Sequence, residues 1–370
     1  MIKITHLTSA HVRYDIRIFI KECCSLAKIK NYEVNLIVAD NKGDEVKNNV
    51  NIIDIGKLQG RMNRIFKTTH KVFNKAIELD SDIYHFHDPE LIPIGLKLKK
   101  LGKKVIFDIH ENMDLQILEK QWIPFILRKF ISKTYWIYEK KSCKKFDLLV
   151  VPQEAMLNKY LEINKTVVIG NFPNKQKKIN NKFLSKYKLL YSGAITEARG
   201  LWNMLDLILE LNKISKNYSL TIAGKIEKSL LHELKKHTAW KKINYLGFLS
   251  QEELLKIYHE HNIGLILLNN VGQYYMAYSL KLFEYMQNGM TVIMPNFGDW
   301  LSFNKKFNVG FNEDVQDSKT IAKRIESISS KQMIYFYKNN IKLVEDVFSW
   351  ESQERKLYQL YEDVINVNKI

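Results

Sequence analysis

The chain has 370 residues, of which 46% are hydrophobic and 26% charged, as expected for a globular protein with room for two domains. No apolar run approaches the roughly 18–20 residues of a membrane-spanning helix, and the first residues lack the pattern of a secretory signal peptide. The net charge of +17, from 57 Lys and Arg against 40 Asp and Glu, suits nucleic acid, an anionic membrane or a phosphorylated substrate as partner.

The number and spacing of the cysteines indicate whether the protein belongs to an oxidising or a reducing compartment. Cys23, Cys24 and Cys143 are an odd number and lack the spacing of a metal site. Cys23 and Cys24 are neighbours within a helical pattern, which is a poor geometry for a disulfide. We therefore predict a reduced, cytoplasmic protein.

The first half alternates apolar strands with helices. The predicted strands lie at 2–7, 32–39, 52–55, 83–86, 103–109, 146–152 and 166–169, and the predicted helices at 16–29, 61–79 and 155–161. The loop at 8–15 contains no glycine, so the dinucleotide-binding fingerprint is absent. The loop does bring Arg13, Asp15 and Arg17 to the carboxyl end of a strand, where open α/β sheets place their sites.

His85 and His87 fall on one face of a predicted strand. Such a pair can bind zinc in a hydrolase, but that site needs further His and Asp ligands on later strand ends. Asp108 and His110 are the nearby candidates, and the second half offers no such histidine. We therefore predict no metal site. The preceding triplet, 80–82, resembles a metal-binding carboxylate pair but is interpreted as capping and turn structure.

The preferred alternative to a metal site is a polar cleft at the carboxyl edge of the sheet. The residues that two successive strands bring there are His87, Asp88, Glu90, Asp108, His110 and Glu111. A single histidine at such a position is often part of a hydrogen-bonded scaffold. Two successive strands that both end in histidine and carboxylate favour a site.

Residues 120–145 mix large apolar side chains with lysine and arginine. The apolar residues include Trp122, Phe125, Phe130 and Trp136, and the basic residues include Arg128, Lys129, Lys133, Lys140 and Lys141. Such a segment can lie on an anionic bilayer. It can equally be a helix that packs on the core and exposes a basic face, and the sequence leaves both interpretations open.

Residues 174–188 are rich in Lys and Asn, show little periodicity, and are interpreted as an interdomain linker. Strands and helices then alternate again. The predicted strands lie at 189–192, 220–223, 243–248, 263–268 and 291–294, and the predicted helices at 201–214, 228–236 and 280–287. A capping box, Ser250 with Glu253, marks a further helix start. Both halves are predicted to be open, mainly parallel sheets covered by helices.

Two strand-to-helix junctions of the second half carry cations. Residues 193–200 begin and end with glycine, which permits a tight turn, and Arg199 can bind a phosphate bidentately. Lys281 starts another helix, where free N–H groups and the dipole favour a phosphate, and Glu284 can accept hydrogen bonds from a ribose one turn later. An ordinary turn and a surface ion pair remain the alternatives, but the two cations together favour a phosphate site.

With these motifs, the chain resembles the retaining GT-B glycosyltransferases of family four, also called group one. The second-half motifs are Tyr191-Ser192-Gly193, Arg199-Gly200, Ile222-Ala223-Gly224, Tyr245-Leu246-Gly247, and 281–286 with Gly289. The first-half motifs, at 15–22, 87–91 and 108–111, are similar to members that build bacterial surface polysaccharides. Phe348-Ser349-Trp350-Glu351 is typical of the family's last helix.

The resemblance implies an α/β fold of two Rossmann-like domains with a cleft between them. Residues 1–172 would form the N-terminal acceptor-binding domain, 173–188 the linker and 189–347 the C-terminal nucleotide-sugar-binding domain. Residues 348–370 would form a helix that returns to the first domain.

The resemblance also implies site residues. The expected donor site consists of Gly193, Arg199, Ser279, Leu280, Lys281 and Glu284. His110 would reach the transferring sugar, so that His110, Arg199 and Lys281 are the catalytic expectation. The expected acceptor side consists of Asp15, Arg17, His87, Asp88 and Glu111. The family usually has a glutamate where this chain has Met276 and a basic residue where it has Ala194.

The implied activity is transfer of a sugar, with retention, from a UDP or GDP donor to a lipid-linked or saccharide acceptor, in capsule, O-antigen or exopolysaccharide synthesis. No cofactor, metal or nucleic acid is expected. The expected location is the cytoplasm, with an anionic membrane surface as an optional partner. The alternatives are a nucleotide-sugar epimerase on the same fold and an inactive, transferase-like binding subunit. A nucleic-acid-binding protein is supported only by the charge of +17.

Overall fold

The computed structural model describes residues 1–120, 123–176, 185–276 and 278–366. The chain divides into two compact units, Met1–Asn171 with Trp350–Ile370, and Phe172–Ser349. Among the described residues, the search for a helix long and apolar enough to cross a bilayer finds none.

The first unit contains a sheet of eight described strands in the order β3-β4-β2-β1-β5-β6-β7-β8. The strands are β1 (Ile2–Leu7), β2 (Tyr32–Val38), β3 (Glu45–Lys47), β4 (Val50–Asp54), β5 (Ile83–Phe86), β6 (Lys104–Asp108), β7 (Leu148–Val151) and β8 (Thr166–Val168). Strand β3 pairs antiparallel with β4, and the other pairs of this sheet are parallel. The parallel strands therefore bring their carboxyl ends to one edge.

The helices of this unit include two π-helical segments, Ile16–Cys23 and Arg64–Thr68, and a 3₁₀ turn, Pro89–Leu91. The α-helices are α1 (Cys24–Leu26), α2 (Arg61–Asn63), α3 (Thr69–Leu79), α4 (Ile92–Lys100), α5 (Met113–Glu119), α6 (Phe125–Cys143) and α7 (Glu154–Leu161). The first helical segment starts where it does because the side chain of Asp15 accepts hydrogen bonds from the amides of Arg17 and Ile18.

The second unit contains a sheet of six described strands, all parallel, in the order β11-β10-β9-β12-β13-β14. The strands are β9 (Lys188–Ser192), β10 (Ser219–Ala223), β11 (Ile243–Gly247), β12 (Ile263–Leu265), β13 (Thr291–Pro295) and β14 (Gly310–Glu313). The α-helices are α8 (Leu201–Ile214), α9 (Leu231–Lys236), α10 (Gln251–Glu260), α11 (Leu280–Gln287), α12 (Asp299–Phe307), α13 (Ser318–Ser327) and α14 (Ser330–Asp346). Three 3₁₀ segments lie at Lys228–Leu230, Thr238–Lys242 and Gly272–Tyr275.

Each sheet carries apolar clusters formed with its covering helices. The last helix, α15 (Trp350–Asn366), belongs to the first unit, where Leu357 and Tyr361 pack with Ile4 and other residues of the sheet. In the second unit one cluster includes helices α8 and α13, and the other includes α11 and Val344 of α14. This burial on both sides explains why the strands are apolar runs rather than alternating patterns.

The predicted pair of open, mainly parallel sheets is confirmed, as is the capping box of Ser250 and Glu253. Strand β14 was not predicted because the sequence Gly-Phe-Asn-Glu has no apolar run, and β3 was not predicted either. The strand expected at 263–268 ends at Leu265. The triplet at 80–82 is structural, as interpreted, since Asp80 ends α3 and Asp82 accepts a hydrogen bond from the Lys3 amide.

Candidate functional site

The candidate site of the second unit starts where β9 ends and Gly193 follows. Gly193 has a φ of 127°, which disfavours any residue with a side chain. A Cβ atom there would lie 3.3 Å from the Nζ of Lys281 and 3.7 Å from an Nη of Arg199. The glycine therefore keeps the backbone close to two cations with no side chain in the way.

Lys281 is buried without a polar partner. Its side chain lies over the Tyr191 ring, with Nζ 3.8 Å from the ring centroid. Lys281 is 4% exposed, and no described residue accepts a hydrogen bond from its Nζ. Burial and the charge of Arg199 lower the pKa of Lys281. The carboxylate of Glu284 acts in the opposite direction, but its contribution is smaller and the pKa stays lowered. A buried ammonium group without a hydrogen bond is costly in free energy, so this position suits an anion.

Arg199 is the second cation of the site. Its Nε donates to the Tyr274 hydroxyl at 3.3 Å. Burial lowers the pKa of Arg199, but the hydroxyls of Tyr274 and Tyr191 outweigh burial and raise it. Among the described residues, Arg199 forms no ion pair with a carboxylate. Arg199 and Lys281 therefore lie together without an ion-pair partner among the described residues, and Glu284 acts on Lys281 only through its charge.

Helix α11 adds further polar groups. It starts at Leu280, and the side chain of its N-cap, Ser279, makes no capping hydrogen bond within the described residues. The N-terminus of the helix therefore adds unsatisfied N–H groups and the positive end of the dipole beside Lys281. One turn later, Glu284 accepts a hydrogen bond of 2.9 Å from the Tyr258 hydroxyl. The predicted donor residues therefore come together at one helix start.

The first unit has a different arrangement at the carboxyl edge of its sheet. The guanidinium of Arg17 donates to both carboxylate oxygens of Asp108, at 2.7 and 2.8 Å, and to the carbonyl of Ile169 at 2.8 Å. Burial opposes ionisation of Asp108, but the charge of Arg17 outweighs it and the pKa of Asp108 is lowered. Arg17, at 5% exposed, holds the scaffold. The acceptor contact predicted for Arg17 stays a prediction.

Three other predicted acceptor residues also bond within the first unit. Asp15 caps the first helix. His87 is buried, with Nδ1 3.2 Å from a carboxylate oxygen of Asp108. Asp88 is buried and accepts hydrogen bonds from the Ser9 amide and the Thr8 hydroxyl. Sequence spacing placed these side chains at the carboxyl edge of the sheet, where their polar atoms bond to other protein groups. Direct acceptor contacts by them stay a prediction.

His110 and His11 are the partly exposed histidines of this edge. The Nε2 of His110 lies 2.9 Å from Asp108, and the Nδ1 of His11 lies 2.9 Å from Asp88. The two ring centroids are 5.0 Å apart. Each ring is held by a buried carboxylate on one nitrogen, which fixes its orientation. Glu111 is exposed and accepts a hydrogen bond from Gln116.

The sequence analysis missed four residues of these sites. His11 stood in the glycine-free loop at 8–15 but was not selected, because the sequence does not reveal that Asp88 lies opposite it. Tyr191, Tyr258 and Tyr274 contact Lys281, Glu284 and Arg199. Tyr191 had been named only as part of the motif Tyr191-Ser192-Gly193, without a role. Tyrosines at strand and helix ends are common in cores, so no sequence signal marked Tyr258 and Tyr274.

Helix α6 presents apolar and basic side chains together. Phe125, Ile126 and Phe130 are 78%, 87% and 70% exposed, and Lys129 and Lys133 are exposed beside them. We call these five residues the α6 surface. Trp136, whose orientation the sequence left open, packs edge-on against Tyr160 in the core of the first unit. Trp122, the fourth aromatic residue named for this segment, lies outside the described residues.

Comparison with known proteins identifies two family models along the chain. The model described as Glycosyltransferase Family 4 matches residues 20–175, and the model described as Glycosyl transferases group 1 matches residues 173–347. No curated protein sequence matches significantly.

Solved structures match over the whole chain. A sucrose-phosphate synthase from Thermosynechococcus elongatus has a TM-score of 0.77 at 14% identity and covers 100% of both chains. HepE from Anabaena, solved with UDP and glucose, has a TM-score of 0.71 at 11% identity and covers 98% of this chain and 100% of its own. A trehalose-6-phosphate synthase studied for glycosyl transfer with retention has a TM-score of 0.69 at 12% identity and covers 99% of both chains.

Identities this low establish a shared fold rather than a shared substrate. The two family models, however, together span residues 20–347 in the order of the two units. The chain therefore belongs to the group 1 glycosyltransferases of the GT-B fold.

Proposed function

We propose that the chain transfers a sugar from a UDP or GDP donor to a lipid-linked or saccharide acceptor, with retention of configuration. The observation that carries the donor assignment is the unpaired, buried ammonium of Lys281 beside Arg199. A diphosphate supplies the anionic oxygens that both cations lack. The second unit is then the donor-binding domain and the first unit the acceptor-binding domain.

The transfer step needs stabilisation of the departing diphosphate. Arg199, Lys281 and the first amides of α11 are fixed before the substrate arrives, since glycine, tyrosine rings and helix geometry position them. Such preorganised positive groups stabilise charge that develops on the leaving oxygen. Glu284 accepts from the ribose hydroxyls. Retention follows the precedent of the trehalose-6-phosphate synthase and needs no protein nucleophile when the leaving phosphate assists the attack.

For the sugar and the acceptor we assign His110, whose Nε2 is held by Asp108 and whose Nδ1 has no described protein partner. An imidazole fixed in this way can exchange a hydrogen bond with a sugar hydroxyl. Glu111 is the exposed carboxylate beside it. The first-half motifs support an acceptor from capsule, O-antigen or exopolysaccharide synthesis.

The donor assignment is tested with nucleotides. UDP, GDP and ADP are added separately, and the thermal midpoint is recorded. A nucleotide at about 100 times its dissociation constant stabilises the folded state by roughly 2.7 kcal/mol, so UDP or GDP should raise the midpoint by several degrees. Arg199→Gln should lose the shift, and Lys256→Gln, an exposed lysine on α10, should keep it. Absence of a shift with every nucleotide would contradict the assignment.

The α6 surface supports a peripheral membrane location, on the inner leaflet. Apolar side chains can enter the interface while each basic residue near anionic lipid contributes roughly 1 kcal/mol, screened by salt. Flotation with anionic vesicles at low salt should recover the protein, and neutral vesicles or high salt should not. Lys129→Glu with Lys133→Glu, both exposed on the α6 surface, should abolish flotation, whereas Lys235→Glu with Lys236→Glu on α9 should not. Equal flotation of both double variants would contradict this docking surface.

A further inference from the structure

Four buried side chains of the first unit converge beneath the carboxyl edge. His6 on β1 pairs in register with His85 on β5, so both point to one face of the sheet. His87 lies two residues further on that face, and Glu22 comes from the helical segment that covers it. His6, Glu22 and His85 are 0% exposed and His87 1%.

The ligand-type atoms of these residues form a compact set. The Nδ1 of His6 lies 2.9 Å from the Nε2 of His87. One carboxylate oxygen of Glu22 lies 4.0 Å from the Nδ1 of His6 and 4.0 Å from the Nδ1 of His85. All four atoms lie within 4.8 Å of one another. In a tetrahedral zinc site with bonds of about 2.1 Å, ligand atoms are roughly 3.4 Å apart, so a small contraction would suffice.

The cluster contains buried polar atoms without hydrogen bonds. Both carboxylate oxygens of Glu22 and the Nε2 of His85 have no hydrogen-bond partner among the described residues. The other oxygen of Glu22 lies 3.3 Å from the Nε of Arg17, and the carboxyl group of Glu22 also faces that of Asp108. A buried carboxylate with so few donors is costly unless it takes a proton or binds a cation.

One guanidinium faces two buried carboxylates in this region. Arg17 lies 2.7 Å from Asp108 and 3.3 Å from Glu22. Burial and the nearby charge of Asp108 raise the pKa of Glu22. The second carboxylate charge is therefore either removed by a proton on Glu22 or balanced by a bound cation.

Hydrogen-bond partners of the second ring nitrogens are also consistent with a metal site. The second ring nitrogen of His87 lies 3.2 Å from a carboxylate oxygen of Asp108, and the second ring nitrogen of His6 lies 3.1 Å from the Tyr361 hydroxyl. Metal-binding histidines usually donate their other N–H to such oxygen atoms. The Tyr361 hydroxyl also lies 2.8 Å from the Nδ1 of His85, and a metal would replace that contact.

We propose that His6, Glu22, His85 and His87 bind one Zn²⁺ ion as a closed structural site. Three imidazole nitrogens and one carboxylate oxygen are a donor set that zinc accepts in tetrahedral geometry. The ion would join β1, β5 and the first helix beneath His110, and it takes no part in sugar transfer. The sequence analysis predicted no metal site because it found only Asp108 and His110 as further candidates, and it did not consider His6 and Glu22. The fold supplies them.

Since the site is buried, the metal would enter during folding. The test is the zinc content of the full chain, purified without a polyhistidine tag, and Co²⁺ absorption after refolding from denaturant with CoCl₂. We expect about one metal ion per chain and the visible bands of tetrahedral Co²⁺. Glu22→Gln and His85→Gln should each lower the bound metal at least tenfold. His70→Gln, an exposed histidine on α3, should keep it.

Circular dichroism establishes whether each variant is folded. If His85→Gln fails to fold, the near-isosteric Glu22→Gln decides the question. Substoichiometric metal in both the purified and the refolded wild-type protein would overturn the proposal. Equal metal content in the Glu22→Gln and His70→Gln variants would overturn it too, because that metal would be adventitious. Either result would leave a hydrogen-bonded histidine cluster in which Glu22 is protonated.

Discussion

The two units place charged residues at the same structural position, the carboxyl edge of a parallel sheet, but they balance those charges differently. In the first unit, Arg17 is bonded to Asp108 and lies beside Glu22, so the cation is neutralised within the protein. In the second unit, Arg199 and Lys281 lie side by side without a described carboxylate bonded to either. A neutralised network is a scaffold, whereas an uncompensated pair of cations indicates a bound anion.

The largest expected effect is on stability, from Arg17→Met. This change leaves Asp108 and Glu22 buried without their cation, and breaking a buried pair in this way costs about 3–5 kcal/mol. Urea unfolding measures the loss. The control is Lys165→Met, which breaks an ion pair with Asp363. The two side chains of that pair are 54% and 37% exposed, so its loss should cost at most about 1 kcal/mol. Equal losses of unfolding free energy in the two variants would show that the buried pair of Arg17 and Asp108 stabilises the fold no more than an exposed ion pair.

Lys281→Met should stabilise the ligand-free protein, whereas Arg17→Met should destabilise it. It removes a buried ammonium that lacks a hydrogen bond and keeps a side chain of similar length, so the ligand-free protein should gain about 1–3 kcal/mol of unfolding free energy. Thermal and urea unfolding without nucleotide measure this gain. A variant that is less stable than wild type would mean that Lys281 supports the fold.

Glu284→Gln should change nucleotide selectivity. A carboxylate that accepts from the ribose makes UDP bind more tightly than 2′-deoxy-UDP, by about 1.5–3 kcal/mol for a charged hydrogen bond. The variant should lose most of this preference. Glu252→Gln on the exposed face of α10 serves as the control. A preference retained in Glu284→Gln would assign the ribose to another residue.

The smallest expected effect is the pH dependence of UDP binding. The pKa of Lys281 lies below its usual value of 10.5 in the free protein, and a bound diphosphate should raise it again. Between these two pKa values, binding takes up a proton, so affinity should fall as pH rises. The unfolded state holds the proton up to pH 10.5, so the stability of the free protein should rise over the same range.

Calorimetry between pH 7.5 and 9, in buffers of different ionisation enthalpy, measures this proton uptake. A phosphate is already fully ionised above about pH 7.5, so the ligand does not contribute. Affinity that is independent of pH in wild type, or equally dependent in Lys281→Met, would exclude Lys281 as the titrating group.

The sequence predicted the architecture well because its signals are local. Apolar runs, the capping box at Ser250 and the glycine after α11 determine strand and helix positions through neighbours along the chain. Arg199 and Lys281 were found for the same reason, since a helix start with a cation is visible in a few residues. The structure brings both to Gly193.

The sequence could not predict whether a charged side chain is paired within the protein, because its partners lie far away in the sequence. Arg17 meets Asp108 across 91 residues, and nothing local distinguishes this arginine from Arg199. The same applies to Asp88, which is 77 positions from His11, and to the convergence of His6 with Glu22. Sequence spacing therefore located the edges of the sheets, while the fold decided which side chains remain available to a ligand.

The central claim is that the uncompensated cations bind a diphosphate. Titration calorimetry with UDP and GDP, on wild type, Lys281→Met and Lys256→Met at pH 7.5, tests it most directly. We predict that one nucleotide binds wild type and the Lys256→Met control alike, and that Lys281→Met loses about 1.5–3 kcal/mol of binding free energy, a factor of roughly 10 to 150. Unchanged affinity in a folded Lys281→Met variant would contradict the account.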